Sequence, residues 1–194
     1  MRGMAMIVGQ HTVIRTAERD DARFLRAAYL GSALRASLLD VRKEPVQPTR
    51  EELEELLGSK ETARGLFYAV EDLEGRVCGF CGLRGVNQES LFAEVFFLFL
   101  SPEMEAGAGG EEAVQFVLGQ AFNRLHLAKV TILVLDGETG LGALLARAGF
   151  ACEGAQRQAV HARGVWHDVQ TWTCFREAAE APDNHTGGCH ALQD

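Results

Sequence analysis

The chain has 194 residues, 47% of them hydrophobic and 24% charged, with a formal net charge of -8. That length holds one domain with a large core rather than two. The acidic balance offers no positive footprint to nucleic acid or to an anionic membrane surface, and no apolar run approaches the roughly 20 residues of a spanning helix.

Residues 1–10 (MRGMAMIVGQ) fall short of a secretory apolar region and read as a flexible lead-in to one domain over residues 11–176. Residues 11–15 (HTVIR) read as a short strand. Asp20 stands as a helix N-cap, and the segment behind it sets Phe24, Leu25, Ala28, Leu34 and Leu38 near one face, with Gly31 as a bend. Two prolines make residues 41–48 a loop. Thr49 and Glu52 have the spacing of a capping box for a short helix that Gly58 ends.

Strands follow. Residues 66–71 (LFYAVE) and 76–84 (RVCGFCGLR) read as a hairpin around a turn at 72–75. Residues 91–100 (LFAEVFFLFL) carry one charge, Glu94, and a strand that apolar is buried on both faces and central in its sheet. A glycine cluster, EMEAGAGGEE, then opens into a helix over residues 111–125 with apolar residues at helical spacing. Residues 129–135 (KVTILVL) are another buried strand and residues 142–148 a short helix. Residues 157–162 and 169–175 pair around a turn at Gly164. Residues 177–194 have little to bury and are expected to be disordered, so His185, Cys189 and His190 read as a loose tail rather than a metal tract. The order predicts a mixed α/β fold with a largely antiparallel sheet.

Five cysteines stand at irregular spacing, at 78, 81, 152, 174 and 189, which points to a reduced, cytoplasmic protein. Cys78 and Cys81 form a CxxC with no second half, inside a strand-like run, and read as core thiols; no metal site is expected. The chemistry concentrates at one junction. A buried strand runs into the glycines of residues 105–110 and directly into an amphipathic helix, where bare N–H groups and the helix dipole favour a phosphate. The same glycines also suit a surface loop with no ligand.

From about residue 12 to residue 175 the chain resembles the GNAT N-acetyltransferases, above all the branch acting on protein N-termini, polyamines and small amines. The resemblance rests on VIRTAERDDARFL, on AEVFFLFLSPEME followed by GGEEAVQFVLGQAF, on LHLAKVTILVLDGETGLGALLARAGFACEG, and on RQAVHARGVWHDVQTW. It implies a six- to seven-stranded sheet flanked by helices and splayed at its central strands. It also implies transfer of an acetyl group from acetyl-CoA, as co-substrate, to a primary amine of a small molecule or peptide. The pantetheine arm would pair with the strand end at Leu98, Phe99 and Leu100, and the diphosphate would lie on Glu105, Ala106, Gly107, Ala108, Gly109 and Gly110. Glu138 takes the place of a cofactor-holding Asn, and Leu145 that of a Tyr that protonates the leaving thiolate.

The family loop opens with Arg or Gln, whereas this one opens with Glu105, or with Met104 in the register shifted by one. Glu105, Glu111 and Glu112 would each repel a bound diphosphate by about 1 kcal/mol. Glu94 is the expected general base if it faces the substrate cleft, and a pleat-edge residue if it faces water. His126 reads as a helix-end residue, while His161, His167 and Asp168 either shape the amine pocket or belong to an ordinary hairpin. Two functions follow: an acetyltransferase, or a binding module on the same fold that no longer holds acetyl-CoA. An exposed edge strand allows a homodimer.

Overall fold

A computed structural model describes residues 5–31, 48–58, 66–162 and 164–179. Chain order gives β1 (Ala5–Val8), β2 (Thr12–Thr16), a 3-10 turn at Arg19–Asp21, α1 (Ala22–Gly31), α2 (Arg50–Leu57), β3 (Phe67–Asp72), β4 (Val77–Asn87) and β5 (Phe92–Phe99). Then come α3 (Pro102–Ala106), α4 (Ala108–Gly119) ending in a π turn at Gln120–Arg124, β6 (Lys129–Leu135) and α5 (Thr139–Arg147). The chain closes with β7 (Ala151–Ala162), β8 (Val165–Phe175) and a short α6 (Arg176–Ala179). Leu34, Leu38 and the loop expected at 41–48 fall largely outside the described residues, as do His185, Cys189 and His190.

The eight strands form one sheet in the order β1-β2-β3-β4-β5-β6-β8-β7. Every neighbouring pair is antiparallel except β5 with β6. The strand beyond the expected six or seven is β1. Ala5–Val8, read from sequence as a lead-in, instead pairs with β2 as an edge strand.

The sheet has two differently covered faces. Ala93, Val95 and Phe97 of β5 pack with Val114, Val117 and Phe122 of the α4 region and with Leu141, Leu144 and Leu145 of α5. On the other face Phe96 and Leu98 pack with Leu25 and Ala28 of α1 and Leu53 and Leu57 of α2. Residues 95–98 are therefore buried on both sides, as an all-apolar central strand should be. Each such side chain contributes roughly 1.5–3 kcal/mol when fully buried.

Local chemistry sets several boundaries. The capping box at α2 forms as spaced: the Glu52 N–H donates to Thr49 Oγ1 (3.2 Å) and the Thr49 N–H to Glu52 Oε2 (2.8 Å). Asp20 is not the cap before α1. Glu18 precedes the 3-10 turn and exchanges capping bonds with Asp21 instead. Gly164 turns β7 into β8 with φ of 81°, which a side chain would resist. Cys81 is fully buried, and burial pushes its thiol well above the usual range; Cys78 is pushed up to about 11, mainly by burial. Neither is a nucleophile at neutral pH, so both thiols serve packing.

One ionic cluster ties the strands to α1. Arg15 on β2 donates through Nη1 and Nη2 to both oxygens of Asp21 (2.7 and 2.8 Å) and through Nε to Glu71 on β3 (2.8 Å). Its Nη1 also reaches the Thr16 carbonyl (3.1 Å). Hydrogen bonding to Asp21 raises the Arg15 pKa against the cost of burial, so the guanidinium stays charged.

Candidate active site

The parallel ladder between β5 and β6 is short. It joins Phe92 to Lys129, Ala93 to Val130 and Glu94 to Thr131, and no register pair follows. Both strands continue, β5 along β4 and β6 along β8, so they part at Glu94–Thr131 and leave a gap in mid-sheet.

Strand alternation settles which backbone groups face that gap. The Leu100 N–H donates to the Cys78 carbonyl (3.0 Å), so Leu100, Leu98 and Phe96 turn their backbone groups to β4. Val95 and Phe99 turn theirs toward β6. Of the three positions expected to meet a pantetheine arm, Phe99 faces the gap and Leu98 and Leu100 do not. On β6 the Asp136 N–H meets the Asp168 carbonyl, so the preceding Leu135 N–H points into the gap, where Glu138 Oε2 accepts it (3.0 Å). Glu138 thus sits at the gap, already holding a strand-edge amide.

The stretch expected as a glycine loop is mostly helical. Ser101 caps α3 by accepting from the Met104 N–H (3.2 Å), with Pro102 in the first turn. Glu105 and Ala106 lie within α3, and the Glu105 N–H is spent on the Ser101 carbonyl (3.2 Å). Gly107 alone separates the helices, and Ala108, Gly109 and Gly110 are the first turn of α4 rather than part of a loop before it. Packing explains the glycines as much as ligand approach does. A Cβ on Gly110 would lie 2.7 and 2.8 Å from the Met104 and Glu105 carbonyls, and one on Gly107 2.8 Å from the Glu103 carbonyl. No side chain caps α4. The Gly110 and Glu111 N–H groups return to the Gly107 carbonyl (3.1 and 3.4 Å), and among the described residues no acceptor meets those of Ala108 and Gly109.

The three carboxylates expected to repel a diphosphate are engaged elsewhere. Glu105 fills the space where Gly140 lacks a Cβ, at the positive end of α5. Glu111 pairs with Arg147 Nε (2.8 Å). Glu112 accepts from the backbone N–H groups of Gln10, His11 and Thr12 (2.9, 3.0 and 2.9 Å) and from Thr12 Oγ1 (2.7 Å). The expected repulsion is accordingly weaker than three unpaired charges would give.

Burial works against the Glu112 charge, but its hydrogen bonds from Thr12 and His11 win and hold its pKa below the ordinary 4.5. The stability it contributes is fully present above pH 4.5 and is lost as pH falls through the lower folded value. The difference in unfolding midpoint between the wild type and Glu112→Gln should therefore shrink in acid. A difference that stays constant from pH 7 to pH 3 contradicts this.

Glu94 stands at the fork on the α1 face, with Oε2 2.7 Å from Arg84 Nε and its side chain 41% exposed. It is neither buried alone nor free in water: Arg84, its cross-strand neighbour, orients it. Leu145 is fully buried in the α4-face core and has no proton to give. His126 is exposed beyond the π turn with φ of 54°. His161 packs on Trp166 (centroids 5.0 Å apart), while His167 Nδ1 lies 3.0 Å from Asp136 and Asp168 Oδ1 accepts from the Gln158 N–H (2.7 Å). The first and last of these contacts brace the β7–β8 hairpin, and His167–Asp136 ties β8 to the end of β6. Sequence reading missed the roles of Asp136 and Arg84, because each is defined by a partner on another strand. Among the described residues no group of side chains could hold a metal ion, and no helix is long and apolar enough to cross a membrane.

The Bacillus subtilis protein YdaF, which bears the name of a ribosomal N-acetyltransferase, is 26% identical over 184 residues, covering 89% of this chain and 96% of its own. Spermidine N-acetyltransferase from Vibrio cholerae, solved with CoA and spermine, superposes with a TM-score of 0.72 at 22% identity, over 88% of this chain and 99% of its own. The ribosomal-protein α-N-acetyltransferase RimL, solved with coenzyme A, also gives 0.72, at 19% identity over 90% and 99%. Residues 11–151 match the acetyltransferase (GNAT) domain. The fork at Glu94, the uncapped start of α4 and the matched domain lead to one conclusion: this chain belongs to the GNAT acetyltransferase family.

Proposed function

We propose that the protein moves an acetyl group from acetyl-CoA to a primary amine by direct transfer, with Glu94 as general base. The observation that carries the reading is the fork itself. The sheet opens where its one central carboxylate stands, so a donor lying in the gap would meet an amine arriving from the α1 face. Residues at the gap fit acetyl-CoA. The backbone of Val95 and Phe99 suits the amides of a pantetheine arm, and the bare N–H groups of Ala108 and Gly109 suit a diphosphate at a helix start. Glu138 adds an acceptor at the far wall.

When bound, acetyl-CoA supplies an activated thioester. The chain's own work is then positioning and proton removal. Glu94, held by Arg84, takes the ammonium proton directly or through one water, which frees the amine to attack. Backbone N–H groups on the gap edge of β5 face the place where negative charge develops. Leu145 excludes a side-chain acid at its position, which leaves that proton to solvent. The relatives named above act on spermidine or on a ribosomal protein, so spermine and a peptide with a free N-terminus are the first acceptors to try.

Calorimetric titration with acetyl-CoA tests the reading. Binding is expected, with a rise in unfolding temperature. No heat and no thermal shift at millimolar ligand overturns it in favour of a module that holds no acetyl-CoA.

A further inference from the structure

We propose that Glu112 is a positioning residue for the diphosphate amides and acts on them through Thr12. The inference rests on the cofactor placement above and adds what keeps that placement rigid. Glu112 lies just behind the first turn of α4, three residues after Gly109. Its Oε1 accepts from the Gln10 N–H (2.9 Å), the His11 N–H (3.0 Å) and His11 Nδ1 (2.9 Å). Its Oε2 accepts from the Thr12 N–H (2.9 Å), Thr12 Oγ1 (2.7 Å) and, at 3.2 Å, the His11 N–H. One carboxylate thus gathers the whole turn between β1 and β2. A Cβ on Gly9 would fall on that carboxylate, so the turn closes tightly over it.

Thr12 carries the effect to the cofactor side. It is 1% exposed, and its Cγ2 lies 3.0 Å from the point where a Cβ of Gly109 would stand. Met104 of α3 presses on the same point, with Sδ at 2.8 Å. Gly109 is wedged between a strand residue and a helix residue, and its N–H is one of the two that no acceptor meets among the described residues. Thr12 in turn is fixed because it begins β2, which pairs with β3 from Asp72 onward. Glu112 therefore fastens the first turn of α4 to the sheet at the level of the bare amides. Without it the turn keeps its helix but loses its aim, and an ill-aimed donor binds a rigid diphosphate poorly.

The test uses the full chain with CoA as the probe. In Glu112→Gln the CoA dissociation constant should rise about tenfold, and amide exchange in CoA-free protein should quicken across residues 104–112 with the β6–β8 strands unchanged. Thr12→Ser keeps the hydroxyl and the N–H but removes the methyl against Gly109. It should reproduce part of both effects, and it serves alone if Glu112→Gln does not fold. Unaltered exchange at residues 104–112 in a folded variant overturns the proposal, as does quickened exchange spread evenly over the sheet. If the wild type fails to bind CoA, the acetyl-CoA reading falls, while the exchange result still decides whether Glu112 holds the turn.

Discussion

Replacing Glu94 with Gln should lower kcat for amine acetylation by about 10²–10⁴ while leaving acetyl-CoA affinity within about twofold, the range for loss of a positioned proton acceptor. Gln keeps the size of the side chain and a hydrogen-bond acceptor for Arg84 but cannot take a proton at neutral pH. The fork stays intact because its register bonds are backbone bonds. The loss should ease at high pH, where more of the free amine arrives already deprotonated. If kcat is unchanged, Glu94 is a surface ion-pair partner and the base lies elsewhere. If affinity for acetyl-CoA falls along with kcat, the residue shapes the donor site instead.

Arg15→Ala should cost about 3–5 kcal/mol of unfolding free energy, the range for breaking a buried ion pair from one side. The substitution leaves Asp21 and Glu71 facing each other with the bidentate partner gone. Asp21 is 4% exposed and cannot turn to water without undoing the 3-10 turn that starts α1. Urea denaturation of wild type and variant gives the difference. A double variant, Arg15→Met with Asp21→Asn, should recover part of it, because the more deeply buried of the two uncompensated charges is then removed. A loss under 1 kcal/mol would mean that water reaches the cluster.

The elements that sequence reading placed well are those whose chemistry is local. Residues 129–135 form a strand over the bounds expected, because β-branched and leucine residues in an unbroken run have few alternatives. The Thr49–Glu52 box and the Gly164 turn depend on neighbours within three residues, and both appear where spacing put them. The failures share a different origin. Residues 105–110 read as loop because glycine disfavours helix, yet close packing of two helices at Gly110 requires its absent side chain. Ala5–Val8 is too short to announce a strand, and it meets β2 through a turn that Glu112, a hundred residues away, holds.

The candidate site divides the same way. The helix start was legible as a strand–glycine–helix junction, while the gap was implied only by the family resemblance. Which of Leu98, Phe99 and Leu100 faces the gap was not, since that phase is set by a bond to Cys78 on another strand. The acidic residues were visible but their partners were not, so Glu105, Glu111 and Glu112 read as three charges at one mouth when each has its own tether.

The way the sheet is covered shapes how an acceptor would arrive. On the α4 side one continuous core spans both branches of the fork. On the opposite side the apolar residues fall into two separate groups, one under α1 and α2 and a small one of Leu133, Leu135, Val160 and Val169. Nothing apolar among the described residues bridges them, and Glu94 stands at the fork on this side. Whatever reaches that carboxylate from this side crosses the seam between two oily patches, not the single core that seals the other side.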